Sequence, residues 1–316
     1  MNCKKSKRNK IPGVIFMFFA KYFAMANSFL WRGKYGIRRF LKIVDGNVRG
    51  LNSAPRPQHI IVSLTSIPSR IHAVPFVIDV LLNQTMLPDK IILYLNAEEF
   101  IGTQFPEELR LQQQLGLEII YCDNLKPHKK YFYSMQSYPE DIVITVDDDL
   151  AYNVDLVEKL YQSYLLHPHA VSAMRARLIT FDENNELNPY CAWPLINDKN
   201  WVGKEFMSLL STTGAGVLFP PHCLHMETFH KANLQETCLD ADDLWLKVME
   251  VMQRISVVLV VPNCKLVTLK GTQENTLFMK NQMGNNDKQM KKILAIYNNY
   301  PNSPKTVLDI IRKGID

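Results

Sequence analysis

The chain has six cysteines (Cys3, Cys122, Cys191, Cys223, Cys238 and Cys264) and no CxxC pair among them. That excludes a zinc module of the usual spacing and a dense disulfide framework. Reduced thiols are the simplest reading, with one lumenal disulfide as the alternative. Internal repeats and low-complexity stretches are absent too, which excludes solenoids and disordered arrays. No uninterrupted apolar run is long enough to be a plain membrane span, because Lys21 breaks the apolar stretch 11–31. What is present is ordinary for a globular protein. Of 316 residues, 47% are hydrophobic and 21% charged, enough chain for one large domain or two small ones.

Acidic residues are also missing from two windows. Residues 1–10 carry Lys4, Lys5, Lys7, Arg8 and Lys10, and residues 32–42 carry Arg32, Lys34, Arg38, Arg39 and Lys42, with no acid in either. The net charge of +5 is therefore a property of the N-terminus, and the rest of the chain is slightly acidic. Such a distribution suits an anionic membrane surface and argues against nucleic acid. Between the clusters, Ile11 to Trp31 is rich in Phe, Met, Ile and Ala. A central lysine costs about 3 kcal/mol on insertion scales, so a helix lying in the headgroup plane is expected for residues 1–45. A cleaved signal peptide ending near Ala24-Met25-Ala26 and a soluble core helix are the alternatives.

Residues 46–57, polar and with two prolines toward the end, read as a linker to a domain over 58–316. Strand patterns at 59–64, 90–95, 117–121 and 142–146 alternate with helical patterns at 71–84, 106–115, 129–137 and 153–166. This alternation predicts βαβ units and a mostly parallel α/β sheet. Farther on, short strands are expected at 170–174 and 217–219, a loop-rich stretch at 180–212, a helix at 242–253, a strand at 256–261 and a last helix at 287–297.

The apolar run Ile142–Val146 ends in Asp147-Asp148-Asp149. Three adjacent carboxylates repel, and a hard cation relieves that repulsion. Mg²⁺ or Mn²⁺ takes oxygen ligands, often one or two carboxylates plus substrate phosphates. The carboxyl end of a strand in an open α/β sheet is also where nucleotides bind. The plainer alternative is a solvated acidic turn that caps the next helix. Asp242-Asp243 opens a helical pattern, where capping and the helix dipole are sufficient reasons for two acids. Thr213-Gly214-Ala215-Gly216 precedes a strand and reads as a tight turn or a close approach to ligand. Thr65, Ser66 and Arg70 follow the first strand, and Arg70 could pair with phosphate. Lys129 and Lys130 precede the acidic strand, as diphosphate contacts or as a solvated helix start. His222, His225 and His230 do not share one helical face and read as ordinary histidines.

Taken together, Ser63–Arg70, Leu82–Thr85 with Pro88-Asp89, Val146–Leu150, Thr213–Gly216 and Ala241–Trp245 resemble a GT-A-fold glycosyltransferase. The resemblance is to family-2-like enzymes of bacterial polysaccharide and lipopolysaccharide biosynthesis, over about 59–290. It implies Asp149 and Asp147 as ligands of Mn²⁺ or Mg²⁺, with Asp147 reaching the ribose or a metal-bound water and Asp148 the adjacent acid of the donor site. It implies donor contacts from Thr65, Arg70, Lys130, Gly214 and Gly216, and a general base at Asp243 with Asp242 as fallback, hence inversion. The donor would be a nucleotide-sugar, foremost a UDP-sugar, and the acceptor a glycan or lipid-linked saccharide. The site would face the cytoplasmic side of an inner membrane, with a type II protein in the Golgi lumen as the alternative. Some relatives use a late histidine as a metal ligand, and none follows His230 here. Other phosphate chemistries fit less well. A haloacid-dehalogenase-type phosphatase expects Thr or Val where Ala151 stands, and a nucleotidyltransferase expects glycine in the first loop, absent from Ser63–Arg70. A non-catalytic nucleotide- or glycan-binding relative is the remaining class, and retention of both acidic sites argues against it.

Overall fold

The computed structural model describes residues 49–269, 271–272, 284–300 and 305–314. The chain separates into two compact units, 1–49 and 50–316, and the elements below belong to the second. The membrane-associating segment expected at 1–45 lies outside the described residues. Within them, no helix is long and apolar enough to cross a membrane.

The described elements run β1 (Ile60–Thr65), α1 (Val74–Leu82), β2 (Lys90–Asn96), α2 (Glu107–Gln114), β3 (Leu117–Cys122), α3 (Lys129–Ser137), β4 (Ile142–Thr145) and α4 (Leu156–Leu166). Then come β5 (Val171–Ala173), β6 (Ala176–Leu178), β7 (Glu205–Phe206), β8 (Leu209–Ser211), β9 (Val217–Phe219), α5 (Lys231–Thr237) and α6 (Asp242–Met252). The last are β10 (Val257–Leu259), α7 (Asn286–Tyr297) and α8 (Val307–Lys313). Eight strands form one sheet in the order β3-β2-β1-β4-β9-β5-β10-β7, and β6 pairs with β8 in a small second sheet. The first four strands are parallel, as is β5 with β10, whereas β9 and β7 run antiparallel. This is the α/β architecture expected from the sequence, a mostly parallel sheet flanked by helices.

Burial explains the strand sequences. Ile60–Leu64 and Ile142–Thr145 are covered on both faces, so they are runs of apolar and β-branched residues and do not alternate. Within 180–212, expected as loop, the chain forms β7, β8 and two short 3₁₀ turns. Strands of two or three residues carry too little periodicity to be read. The short helices α5 and α8 are equally silent in the sequence pattern. The stretch 46–57 needs correction as a linker from Gly50 onward. Gly50 N donates to Leu82 O at 3.2 Å and Asn52 N to Pro88 O at 2.8 Å. The Asp89 carboxylate accepts from the Asn52 amide at 2.7 Å and lies 3.3 Å from Arg56 Nε. Proline and polar residues here mark irregular backbone that is nevertheless bonded to the domain.

Two features of the topology bring distant loops together. β1 and β4 are neighbours, so the segments leaving their carboxyl ends lie side by side. β9 runs against β4 with Val217 opposite Thr145, so the loop entering β9 arrives at the point where the chain leaves β4. A parallel strand in that place would put the Gly-containing loop at the other edge.

The buried Gln84 ties the first βα unit to α4. Its amide donates to Val80 O at 3.1 Å and Asn153 O at 3.0 Å, and its Oε1 accepts from Val157 N at 3.0 Å. That last bond satisfies a first-turn N–H that the helix itself cannot. Gln84→Leu should therefore lower unfolding free energy by about 1–3 kcal/mol, the cost of a buried unsatisfied group. Urea denaturation checks this, and unchanged stability would show that the bridge carries no weight.

Candidate active site

Five segments meet at the carboxyl end of the parallel strands. They are the β1–α1 loop, the start of α3, Asp147-Asp148-Asp149 after β4, the 3₁₀ turn Thr213–Ala215 before β9, and the first turn of α6.

The three acids of the triplet differ. Asp148 is turned inward. Ser66 Oγ donates to its Oδ2, and Arg70 lies 3.3 Å from its Oδ1. Burial pushes its carboxyl up to about 7 despite Arg70. It therefore holds the β1–α1 loop against the triplet. Asp149 is paired with Arg70 Nη1 at 2.9 Å, and Asp147 with Lys130 Nζ at 2.6 Å. Asp147 is the open one, its side chain 40% exposed. Behind the backbone, Tyr152 Oη accepts from Asp147 N at 2.6 Å and donates to Gly214 O at 2.5 Å, which fixes the glycine loop to the triplet.

Lys130 is buried in the first turn of α3, and its ammonium reaches both acidic sites: Asp147 on one side and Asp242 Oδ2, at 3.0 Å, on the other. Burial alone would lower its pKa, but Asp147, Asp242 and Asp243 outweigh burial and hold it above the usual lysine value. The preceding His128 is fully buried between Tyr131 Oη (2.7 Å) and Cys238 O (2.8 Å), and burial pushes it down to about 4, so it is neutral.

The acids at the start of α6 are not equivalent. Asp242 is buried, but Lys130, His128 and Thr213 together overcome burial and hold its carboxyl below the usual range. Asp243 is more open. Its Oδ1 accepts from Thr213 N at 3.0 Å and Thr213 Oγ1 at 2.6 Å, while its Oδ2 bonds to none of the described residues. Burial, reinforced by the charge of Asp242, pushes its carboxyl up. The pair thus consists of one carboxylate fixed in its ionised form and one poised to exchange a proton.

Of the residues singled out in the sequence, Arg70, Lys130, Asp147, Asp148, Asp149, Gly214, Asp242 and Asp243 come together. Gly214 is glycine because a Cβ there would lie 1.8 Å from Asp147 Oδ2. Gly216 is different. Its φ is +103°, and a Cβ would meet Leu156 and Met174, so packing and backbone geometry explain it without a ligand. Thr65 spends its hydroxyl on Tyr94 O at 2.8 Å. Tyr152 and His128 carry no signal in the sequence, because a lone aromatic residue or histidine has no spacing to read. His225 bonds Tyr300, His222 pairs with Glu140, and His230 caps α5. Asp287, in the first turn of α7, accepts from Tyr190 N at 2.7 Å.

Among the described residues no group of three or more histidine, cysteine or carboxylate side chains is assembled to hold a metal alone. The donor set nevertheless fits a hard cation. Asp147 and Asp149 supply carboxylate oxygens, and Mg²⁺ or Mn²⁺ commonly completes its shell from phosphates and water. The buried Nε of Arg70 has no acceptor among the described residues.

No protein-family model and no curated protein matches the chain. Among solved structures, it is similar to S. aureus TarS 1–349 in complex with UDP, at 11% identity and TM-score 0.40 over 64% of this chain and 58% of that one. It is also similar to glucosyl-3-phosphoglycerate synthase from Mycobacterium tuberculosis in complex with Mn²⁺, UDP and glucosyl-3-phosphoglycerate. There the identity is 11% and the TM-score 0.41 over 76% of this chain and 80% of that one.

Removing the ammonium would strand buried carboxylates, which typically costs about 3–5 kcal/mol. Lys130→Met should therefore be destabilised by about that much at neutral pH. A carboxyl held down in the folded state contributes stability that is present above its unfolded pKa and lost as pH falls through the folded value. The gap between wild type and Lys130→Met should accordingly shrink in acid, as Asp242 protonates. Urea denaturation across pH measures both effects, and a pH-independent gap would assign Lys130 to packing alone.

Proposed function

We propose that the protein is a metal-dependent, inverting glycosyltransferase that moves a sugar from a nucleotide-sugar, foremost a UDP-sugar, to a hydroxyl of a glycan or lipid-linked saccharide. The observation that carries this reading is the joining of two acidic sites of opposite character through Lys130, with Asp243 keeping one carboxylate oxygen unengaged. A purely binding relative would not need to keep one proton-accepting oxygen open.

The chain's own residues divide the work. Arg70, with its unsatisfied Nε, and the edge of the Asp147–Asp149 triplet would hold the donor's diphosphate. Asp147 and Asp149 would hold the cation, which when bound stabilises the charge gathered on the leaving diphosphate. Gly214, with no side chain, lets the Asp147 carboxylate lie against its backbone, which keeps Asp147 in place for this role. Asp243 Oδ2 would take the proton of the acceptor hydroxyl. The freed oxygen attacks the anomeric carbon, a new C–O bond forms, and the bond to the diphosphate breaks with its electron pair. Thr213 fixes Asp243 by two hydrogen bonds, and positioning of this kind accounts for a large share of a displacement rate. The basic, apolar N-terminal sequence supports an acceptor presented at a membrane surface, with the site on the cytoplasmic side.

A thermal-shift titration of the full chain with UDP, with and without Mn²⁺, tests the donor side. Saturating ligand at a hundredfold excess over Kd stabilises the folded state by about 2.7 kcal/mol. The expected result is a Mn²⁺-dependent shift that Asp149→Ala abolishes and Asp243→Asn retains. Asp243→Asn should lower turnover by about 10²–10⁴-fold, the usual contribution of a general base. No nucleoside diphosphate shifting a folded sample would overturn the reading.

The base must be ionised to act, and its folded pKa is raised. Activity should therefore fall as pH drops, with an acid limb above the ordinary carboxylate value of about 4. A kcat–pH profile checks this, and a limb at or below that value would place the base elsewhere.

A further inference from the structure

Arg175 and Arg177 are charged groups on the far side of Asp243 that donor binding and proton transfer do not use. Arg177 lies in β6, and Arg175 sits in the bend just before the strand begins at Ala176. Both are half-buried. Neither guanidinium has a carboxylate partner among the described residues. Arg177 donates to Trp193 O at 2.6 Å and lies 5.1 Å from the centre of the Tyr190 ring. Such a pair is unusual, because arginines withdrawn from water are ordinarily paired. Arg70, by contrast, has two carboxylates within reach.

The location is set by hydrogen bonds. The carbonyl of Arg175 accepts from both Thr212 N at 3.0 Å and Thr212 Oγ1 at 3.2 Å. Thr212 is followed by Thr213, which holds Asp243. The backbone bearing the two arginines is therefore braced, through one short loop, against the base. Tyr190 closes the other flank, with its amide held by Asp287. Burial and the charge of Arg177 push Arg175 below the usual arginine value, against the opposing charge of Asp243.

We propose that Arg175 and Arg177, flanked by Tyr190, form an anion subsite on the acceptor side of Asp243, and that the accepting substrate carries a carboxylate or a phosphate there. The guanidinium fork recognises either group through paired hydrogen bonds. An anchored anion would fix the acceptor about its hydroxyl, turning a flexible saccharide into one aimed at Asp243 Oδ2. A neutral acceptor would leave two half-buried cations uncompensated in the complex, so the same residues select against it. This inference rests on the transferase reading for the word acceptor.

The test is isothermal titration calorimetry on the full chain, with and without UDP and Mn²⁺, using glucose, glucuronate and glucose 6-phosphate as probes. At least one anionic sugar should bind about tenfold or more tightly than glucose, the free-energy difference expected of charged hydrogen bonds. Arg175→Gln and Arg177→Gln should each remove that preference, and Arg175→Lys should keep part of it, with UDP affinity unchanged in all three. Arg175→Lys also guards against misfolding, since it retains the charge and most of the stem. Equal binding of glucose and both anions overturns the subsite, as does an anionic preference untouched by both Gln variants. Loss of UDP affinity in the Gln variants overturns the acceptor assignment by moving the arginines to the donor side. UDP binding without anion discrimination overturns only the subsite. Anion discrimination in a chain that binds no nucleoside diphosphate overturns the transferase reading and the acceptor assignment with it.

Discussion

The ammonium of Lys130 holds the candidate site together. It is nearly fully withdrawn from water, and its two nearest partners, Asp147 and Asp242, come from segments 95 residues apart on different secondary elements. Without it, five carboxylates would converge at one end of the sheet with Arg70 as the main cation bonded to them among the described residues. Such a cluster would protonate or splay apart. With it, Asp242 stays ionised, and the charge on Asp242 in turn raises the carboxyl of Asp243. One buried cation thus bonds to both halves of the site and keeps Asp242 ionised.

The sheet supplies the second constraint. Parallel strands β1 and β4 deliver the Arg70 loop and the triplet side by side. The antiparallel β9 is what brings Thr213 and Gly214 onto the same spot. Thr145 Oγ1 donates to Thr213 O at 3.1 Å, and Tyr152 clamps the Asp147 and Gly214 backbones together. These bonds fix a loop that leaves the Asp147 carboxylate its place at Gly214 and holds Asp243 through Thr213. A rigid loop suits this role better than a mobile one, because placement within a fraction of an ångström governs rate in a displacement.

The charge pattern is divided across the site. On the donor side, cations are matched to carboxylates, and a diphosphate with its metal could enter by exchanging partners. Beyond Asp243, Arg175 and Arg177 have no such match among the described residues. Ion pairs on one side of Asp243 and arginines without a bonded carboxylate on the other are the charge pattern from which the acceptor subsite is proposed.

The amino-acid sequence by itself determined the βα alternation through Leu166. Buried parallel strands and amphipathic helices each leave a strong local pattern, and the observed ends fall within about three residues of the expected ones. It also made the acidic triplet and the Asp242-Asp243 pair visible, because clustered like charges stand out in any sequence. Tertiary structure alone decided the rest. Which of three consecutive aspartates turns inward depends on Ser66 and Arg70, about 80 residues earlier. That Gly214 faces the site while Gly216 packs against Leu156 and Met174 depends on the direction of β9, and a two-residue spacing cannot reveal it. Lys130 reads as the start of a solvated helix until Asp242 closes over it from the far half of the chain. Electrostatic role is a property of neighbours in space, and for these residues the neighbours are remote in sequence.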